Sequence, residues 1–161
     1  MRLLLFQLGI SFFLLFSACS NVDLIATDSE TIQEHLLSYR GEKAVLVNIW
    51  ATTCGPCVEE FPMIVSLGNE IKDLEVVFVS ADFDDQLGEV MRFLDDQKVS
   101  GVSFIKNEND QSFVNGIHSE WSGTLPFTII YGKNSGKIMS FWEGKELESK
   151  FRKHIQLAIN E

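Results

Sequence analysis

Cysteine, histidine and basic residues are scarce in this 161-residue chain, and each shortage excludes a class of protein. Three cysteines are too few for a small disulfide-rich scaffold. Thirteen basic residues against 23 acidic ones give a formal charge of −10, so we expect no nucleic-acid partner. The three histidines, His35, His118 and His154, lie far apart and the sequence has one close cysteine pair, so we expect no metal and no other cofactor.

Apolar and aromatic residues, by contrast, are plentiful. Apolar residues make up 45% of the chain, and its 13 phenylalanines and three tryptophans predict an aromatic core. The length suits one domain of ordinary size and is too short for two. We therefore expect one globular domain.

The first 18 residues are typical of a secretory signal peptide. Arg2 is their one charge, an apolar run begins at Leu3, and Ser17 and Ala18 are small. The apolar run is too short for a transmembrane span of about 20 residues. We therefore expect cleavage after Ala18.

Cys19 follows directly, and small residues before a cysteine resemble the lipobox of bacterial lipoproteins, in which that cysteine is acylated. The resemblance implies a protein held by lipid at Cys19 on the extracytoplasmic side of a membrane of the bacterial cell envelope. A cleaved soluble secreted protein and an uncleaved anchor are the alternatives. Residues 19–29 are polar and lack a pattern, so we interpret them as the lipidated N-terminus and a tether, with the folded domain over residues 30–161.

Hydrophobic periodicity predicts that this folded part is an α/β domain. Strands are predicted at Ala44–Ala51, Leu74–Ala81, 103–105, Phe127–Tyr131 and Lys137–Trp142, the last two as a hairpin. Helices are predicted over residues 30–39, 56–71, 87–97, 111–117 and 147–158. Pro62 is expected to kink the second helix.

The chemistry of the chain is predicted at Cys54-Gly55-Pro56-Cys57, which follows a buried strand and opens a helix. Unpaired N–H groups and partial positive charge at a helix N-terminus stabilise a thiolate, and the thiolate is the form that attacks a disulfide. We expect Cys54 to be the exposed nucleophile and Cys57, one turn further in, to resolve the mixed disulfide by closing a Cys54–Cys57 bond. A structural disulfide and half of a zinc site are the alternatives.

The segment Val47–Pro62 resembles the membrane-anchored, thioredoxin-like thiol–disulfide oxidoreductases of the TlpA/ResA kind. Their pattern is roughly W-A-x-W-C-x-x-C-x-x-E-x-P, and Trp50, Ala51, both cysteines, Glu60 and Pro62 match it. The resemblance implies a thioredoxin-like fold, with a central mixed sheet of about five strands flanked by helices.

A second match lies about 70 residues further along, at Gly123-Thr124-Leu125-Pro126-Phe127-Thr128. It resembles the cis-proline loop of the same family, which implies a cis bond at Leu125–Pro126 and a loop facing Cys54. An ordinary trans turn is the alternative. The resemblance implies that Trp50, Thr124, Leu125 and Pro126 bind the substrate, the loop backbone pairing with an extended peptide.

Three features depart from the family pattern. Thr53 replaces a second tryptophan, and Asn48 stands where cytosolic thioredoxins carry a buried aspartate, so proton handling must come from another group. Glu60, one turn after Cys57, is our candidate, because partial burial would raise its pKa. A solvated first-turn carboxylate is the alternative. Residues 103–122 follow no family pattern, and Trp121 either shapes the substrate groove or packs.

We expect the pair to work as a reductase of protein disulfides, because acidic Glu59 and Glu60 disfavour a very acidic Cys54. A reductase in an oxidising compartment needs electrons, for which a membrane thiol reductase is the expected partner. The alternative is a module that binds thiols or copper without turnover, since soft thiolates bind Cu(I). Against that alternative, no histidine lies near the pair.

Overall fold

The computed structural model describes residues 21–161, so the predicted signal peptide and Cys19 lie outside the described residues. In chain order the elements are β1 (Asn21–Thr27), α1 (Ser29–Leu37), β2 (Ala44–Trp50), α2 (Gly55–Glu70), β3 (Leu74–Ser80), α3 (Leu87–Asp96), β4 (Ser100–Lys106), α4 (Asp110–Ile117), β5 (Phe127–Tyr131), β6 (Ile138–Glu143) and α5 (Glu148–Ile159). A 3₁₀ turn, Asp84–Gln86, precedes α3. None of the helices in this described part is long and apolar enough to cross a membrane.

The strands form one mixed sheet in the order β1-β4-β3-β2-β5-β6. The first four of these are parallel to their neighbours, whereas β5 runs antiparallel to β2 and β6 antiparallel to β5. The fold is therefore the predicted α/β, thioredoxin-like class, with helices flanking a central sheet. Within residues 21–161 it has six strands where the sequence predicted about five.

The sixth strand is β1, which corrects our interpretation of residues 19–29 as a tether. Residues 21–27 are paired along their whole length with β4, from Asn21 opposite Ser100 to Thr27 opposite Lys106. Apolar and polar side chains alternate only weakly along this strand, with Val22 and Leu24 packed on the core and Asp23 exposed. Because only two apolar side chains point inward, the period-2 signal was too short to distinguish this segment from a polar linker.

The four parallel strands end along one edge of the sheet, which we call the carboxyl edge. Trp50 at the end of β2 is opposite Ser80, Ser80 is opposite Ile105, and Thr27 is opposite Lys106. Segments that follow these strands therefore meet at this edge.

The sheet separates two apolar cores, and β2 contributes to both because every one of its residues is buried. Leu46 and Trp50 pack on one face, and Val47 and Ile49 pack on the other. This burial is the physical reason that its sequence is a continuous apolar run rather than an alternating one. Leu125 is half-buried and packs against both cores.

The predicted kink at Pro62 does not interrupt α2, which continues from Gly55 to Glu70. Pro56 lies in the first turn of the helix, where the missing N–H has no helical partner to lose. Pro62 is exposed on the helix surface, so its ring displaces no core side chain.

Candidate active site

Cys54 and Cys57 lie at the start of α2, just beyond the carboxyl edge. The two residues form a disulfide, with Cα atoms 5.2 Å apart. Cys54 is the N-cap of α2, and its Sγ accepts a hydrogen bond from the Cys57 N–H at 3.3 Å. Cys54 is partly exposed whereas Cys57 is fully buried. This difference fits the predicted order of attack, in which only the outer sulfur can meet a substrate.

Trp50 lies behind this pair and is 0% exposed, so the expectation that it contacts the substrate is wrong. Its ring packs edge-on against Phe61 at 4.8 Å and lies 4.6 Å from Phe93, between ring centroids. Trp50 lies on the same face of β2 as Ala44 and Leu46, and α2 and α3 cover it there with Phe61 and Phe93. Trp50 therefore supports the turn that carries Cys54.

The loop between Trp50 and Cys54 is fixed by Asp82, which follows β3 and is buried. Its carboxylate accepts hydrogen bonds from the Thr52 N–H at 2.9 Å, the Thr52 hydroxyl at 2.7 Å and the Ser80 hydroxyl at 2.6 Å. Ala81 adds a backbone bond to the carbonyl of Trp50 at 2.7 Å. Sequence reasoning missed Asp82, because nothing marks it apart from its place at the end of a parallel strand.

The Leu125–Pro126 peptide bond is cis, as predicted. Phe127 pairs with Ile49 in the antiparallel ladder, which places Pro126 next to Trp50 and the turn that leads to Cys54. Thr124 is exposed, Leu125 is half-buried and Pro126 is buried. Within residues 21–161 the backbone N–H and C=O of Leu125 make no hydrogen bond, so they are free to pair with an extended peptide.

Trp121, for which two roles were predicted, and Glu143, which the sequence did not point to, hold this loop in place. The indole N–H of Trp121 donates to the Thr124 carbonyl at 2.9 Å, and the Trp121 ring stacks on Phe127 with centroids 5.0 Å apart. The Glu143 carboxylate accepts from the Ser122 N–H at 2.5 Å and from its hydroxyl at 2.8 Å, and these bonds lower the pKa of Glu143. Of the two roles open for Trp121, the structure therefore shows packing on the loop itself, and the same ring also lines a pocket beside the loop.

Glu60 is 2% exposed and lies one turn beyond Cys57 on α2, so it is not a solvated first-turn carboxylate. Asn48 donates its amide to Glu60 at 3.3 Å and to the Thr128 hydroxyl at 3.1 Å, and the Glu146 N–H donates to Glu60 at 3.1 Å. Burial raises the pKa of Glu60 above its usual 4.5, and the hydrogen bonds oppose that rise. Glu60 is therefore the one buried carboxyl of α2, three residues after the buried Cys57, and its pKa is raised.

The charges around Cys54 are mostly compensated. Glu59 is exposed and pairs with Lys145 at 2.5 Å, which lowers the pKa of Glu59. In the part of the chain that the structure describes, no ion pair or hydrogen bond connects Cys54 to a lysine, arginine or histidine. The Cys54 thiolate would therefore be stabilised by the helix N-terminus alone.

No group of three or more histidine, cysteine or acidic side chains in residues 21–161 is arranged to hold a metal ion. The two thiols at the start of α2 are the soft ligands available there, and in this structure they are joined to each other.

Known proteins resemble this chain in both sequence and fold. A family model described as Redoxin matches residues 20–133. The thiol-disulfide oxidoreductase ResA of Geobacillus thermodenitrificans is 25% identical over 134 residues, which cover 83% of this chain and 73% of that protein.

Two solved structures illustrate the likeness in fold. A thiol:disulfide interchange protein of the thioredoxin family from Chlorobium tepidum has a TM-score of 0.61 at 20% identity, with 76% of this chain and 83% of that chain covered. The pneumococcal exposed lipoprotein thioredoxin of Streptococcus pneumoniae has a TM-score of 0.58 at 16% identity, with 76% and 89% covered.

Proposed function

The chain belongs to the redoxin family and is a thiol–disulfide oxidoreductase with a thioredoxin-like fold, and from this premise we propose that it reduces protein disulfides outside the cytoplasm. One observation carries the proposal: a partly exposed Cys54 at a helix N-terminus is bonded to a fully buried Cys57, next to a cis-proline loop with free backbone groups. This arrangement suits a dithiol that accepts a disulfide from an extended polypeptide.

The proposed reaction exchanges one disulfide for another. In the reduced protein, the Cys54 thiolate attacks a substrate disulfide, forms a mixed disulfide and releases one substrate thiolate, which takes up a proton. Cys57 then attacks Cys54, the Cys54–Cys57 bond forms, and the second substrate thiolate leaves. Two electrons pass to the substrate, and the protein is left with the disulfide that the structure contains.

Glu60 is the proposed acceptor of the proton that Cys57 must lose before it attacks. Its burial favours the neutral acid more than water would, so its pKa is moved toward the range where proton exchange with a thiol is efficient. Thr124, Leu125 and Pro126 are proposed to align the substrate cysteine with Cys54, through the backbone of the loop.

Direction of electron flow is proposed from the charges near Cys54. Strong oxidants of this fold have a very acidic nucleophile, whose thiolate is stabilised so far that the reduced form is favoured. Cys54 has no cationic partner among the described side chains. Without a cation beside it, its thiolate is less stabilised than that of a strong oxidant, which favours a reductant.

The proposed setting is the outer face of a bacterial membrane, with Cys19 acylated and residues 1–18 removed. The signal-like N-terminus and its small residues before Cys19 support this setting. The pneumococcal neighbour, an exposed lipoprotein, is a precedent for this fold in lipid-anchored form. Because such a compartment oxidises exposed thiols, we propose a membrane thiol reductase as electron donor.

A turbidity assay of insulin disulfide reduction tests the activity. We expect wild type to reduce insulin and Cys54→Ala to lose the activity, while Cys57→Ser should accumulate mixed disulfides, because attack proceeds without resolution. Equal rates for wild type and Cys54→Ala would contradict the proposal. The reduction potential of the Cys54–Cys57 couple tests direction, and a value near −120 mV, typical of a strong oxidant, would overturn the reductase assignment.

A further inference from the structure

An apolar pocket lies beside the cis-proline loop and is not used by the disulfide exchange described above. Its volume is about 330 Å³. Leu125 forms part of its wall, and so does Ala81, whose N–H is bonded to the carbonyl of Trp50. The pocket is therefore continuous with the surface on which the substrate cysteine must lie.

The opposite wall comes from the segment that departs from the family pattern. Phe113 and Val114 of α4 line it, together with Trp121 and Gly123. Val114 packs closely on the loop, since its Cγ2 lies 3.7 Å from the place where a Cβ on Gly123 would be. Gly123 has a φ of +91°, a left-handed conformation that leaves this face of the loop without a side chain.

The charges in the pocket wall compensate each other. Lys106 is 5% exposed, and its ammonium group pairs with Asp110 at 2.9 Å. The same group lies 4.5 Å from the ring centroid of Phe83, a cation–π contact. A charged substrate group would therefore meet no free partner here, whereas an apolar one meets Phe83, Phe113 and Trp121.

We propose that this pocket selects polypeptide disulfides in which a large apolar or aromatic side chain lies within two residues of the attacked cysteine. The inference rests on the proposed disulfide exchange and names the substrate class for that same site. The free N–H and C=O of Leu125 hold the peptide as an extended strand, and a neighbouring side chain of that strand enters the pocket. Burial of the apolar side chain favours the encounter complex and speeds the attack by Cys54.

Symmetrical disulfide dimers of short peptides test the proposal. Each peptide contains one cysteine among glycines and serines. One of the four positions within two residues of the cysteine, on either side, carries phenylalanine, glutamate or serine. Each dimer is mixed with pre-reduced protein, and the rate is followed until two peptide thiols have formed per Cys54–Cys57 disulfide. For at least one position we expect phenylalanine to react about tenfold faster than serine, and glutamate no faster than serine.

Two variants connect that preference to the pocket. Val114→Phe fills the pocket and should reduce the phenylalanine-to-serine ratio to below about twofold. Phe83→Ala removes one wall, and because Phe83 is 59% exposed its truncation does not endanger folding, so the ratio should also fall. The matched control is Val65→Phe, at a half-buried valine that lines a second cavity of about 290 Å³ near Lys43 and Gly101, and it should keep the wild-type ratio.

The outcomes separate this inference from the proposed function. Equal rates for all dimers, with Cys54→Ala inactive, would contradict the proposed role of the pocket but not the proposed reductase activity. A phenylalanine preference that survives both Val114→Phe and Phe83→Ala would also overturn the pocket. Failure of wild type to reduce any dimer, or insulin, would instead contradict the reductase itself.

Discussion

At the scale of single residues, a buried hydrogen bond joins the Asn48 amide to Glu60, the proposed proton acceptor. Asn48 cannot titrate, and its amide joins Glu60 to Thr128 across β2, α2 and β5. Among the described residues, Glu60 accepts hydrogen bonds but forms no ion pair, and Lys145 acts on it only through space, so the cost of burial dominates and its pKa rises. Because an amide does not titrate, Glu60 is the titratable member of this buried contact.

Glu60→Gln should become more stable than wild type as pH rises. The folded-state pKa of Glu60 lies above its unfolded value of 4.5, so between the two the native state holds a proton that the unfolded chain has released. Wild type consequently loses stability as pH rises through that window, whereas glutamine does not ionise. Urea denaturation of both proteins from pH 4 to pH 8 measures the gap.

The neighbouring variant Glu59→Gln is the control for that experiment. Its stability relative to wild type should fall, not rise, as pH increases. Lys145 lowers the pKa of Glu59, so the pair contributes stability above the unfolded pKa, which is lost as pH falls. The effect should be small and sensitive to salt, because both side chains are exposed. If the stability advantage of Glu60→Gln over wild type shrinks as pH rises, burial does not raise the pKa of Glu60.

A second prediction at this scale concerns the indole of Trp121. Trp121→Phe keeps an aromatic ring beside Phe127 but loses the hydrogen bond to Thr124, which should cost about 1 kcal/mol more than the loss of ring volume alone. Trp142→Phe is the matched control, because Trp142 is equally buried and its indole N–H has no hydrogen-bond partner within residues 21–161. Denaturant midpoints of the two variants compare their stabilities. Equal losses of stability would show that the hydrogen bond to Thr124 does not stabilise the loop.

The sequence specifies some of these residues better than others. Glu60 could be placed because a spacing of three along a helix puts it one turn from Cys57. Ser122 and Glu143 could not, since they are 21 positions apart and meet only because β6 returns beside β5. Trp50 was misplaced for a related reason: a motif match gives its position in the chain, whereas its burial depends on Phe61 and Phe93, which pack on it from α2 and α3.

At the scale of elements, α4 is the short helix on which the pocket depends. Asn109 caps it, its side chain accepting from the Ser112 N–H at 3.0 Å and thereby satisfying one of the free donors of the first turn. With eight residues the helix has little stability of its own and relies on this cap and on the burial of Phe113 and Ile117.

Asn109→Ala should therefore destabilise the protein by about 1 kcal/mol. Asn115→Ala, at an exposed position inside the same helix, loses a hydrogen bond from Gln111 at 3.0 Å but gains a better helix former, so it should cost less than about 0.5 kcal/mol. Urea denaturation gives both values, and hydrogen exchange of the α4 amides should quicken in Asn109→Ala alone. A loss in Asn115→Ala as large as that in Asn109→Ala would show that the cap is not the cause.

Elements with a strong periodic or continuous signal were predicted to within a few residues. Strands β2 and β3, helix α3 and the β5–β6 hairpin are of this kind, since burial dictates their residue types. Strand β1 was missed because its partner β4 lies about 80 positions away and its own pattern is weak. A local sequence pattern does not indicate a pairing with a strand so far along the chain.

At the scale of the whole molecule, the oxidised form should be more stable than the reduced form. Closing the four-residue Cys54–Cys57 loop removes conformational freedom from the unfolded chain, which by loop entropy is worth about 2 kcal/mol. A reductant is more stable in its oxidised form, which drives its oxidation by a substrate disulfide, whereas a strong oxidant is more stable when reduced. Denaturation with and without dithiothreitol measures the difference.

The Cys54→Ser/Cys57→Ser double variant is the control and should be indifferent to dithiothreitol. An oxidised form less stable than the reduced one would reverse the proposed direction of electron flow, because the free energy of the disulfide in the native state fixes its potential relative to the unfolded chain.

The position of β1 bears on how the protein would be oriented if Cys19 carried a lipid. Asn21, two residues beyond Cys19, lies at the end of the sheet opposite to the carboxyl edge, and the seven residues of β1 span about 2 nm toward it. With the proposed acylation at Cys19, the bilayer would lie beneath the far end and the disulfide would be directed into the aqueous compartment. Client proteins would then approach from open solvent, and an electron donor in that membrane would need a dithiol of its own that reaches about 2 nm above the lipid.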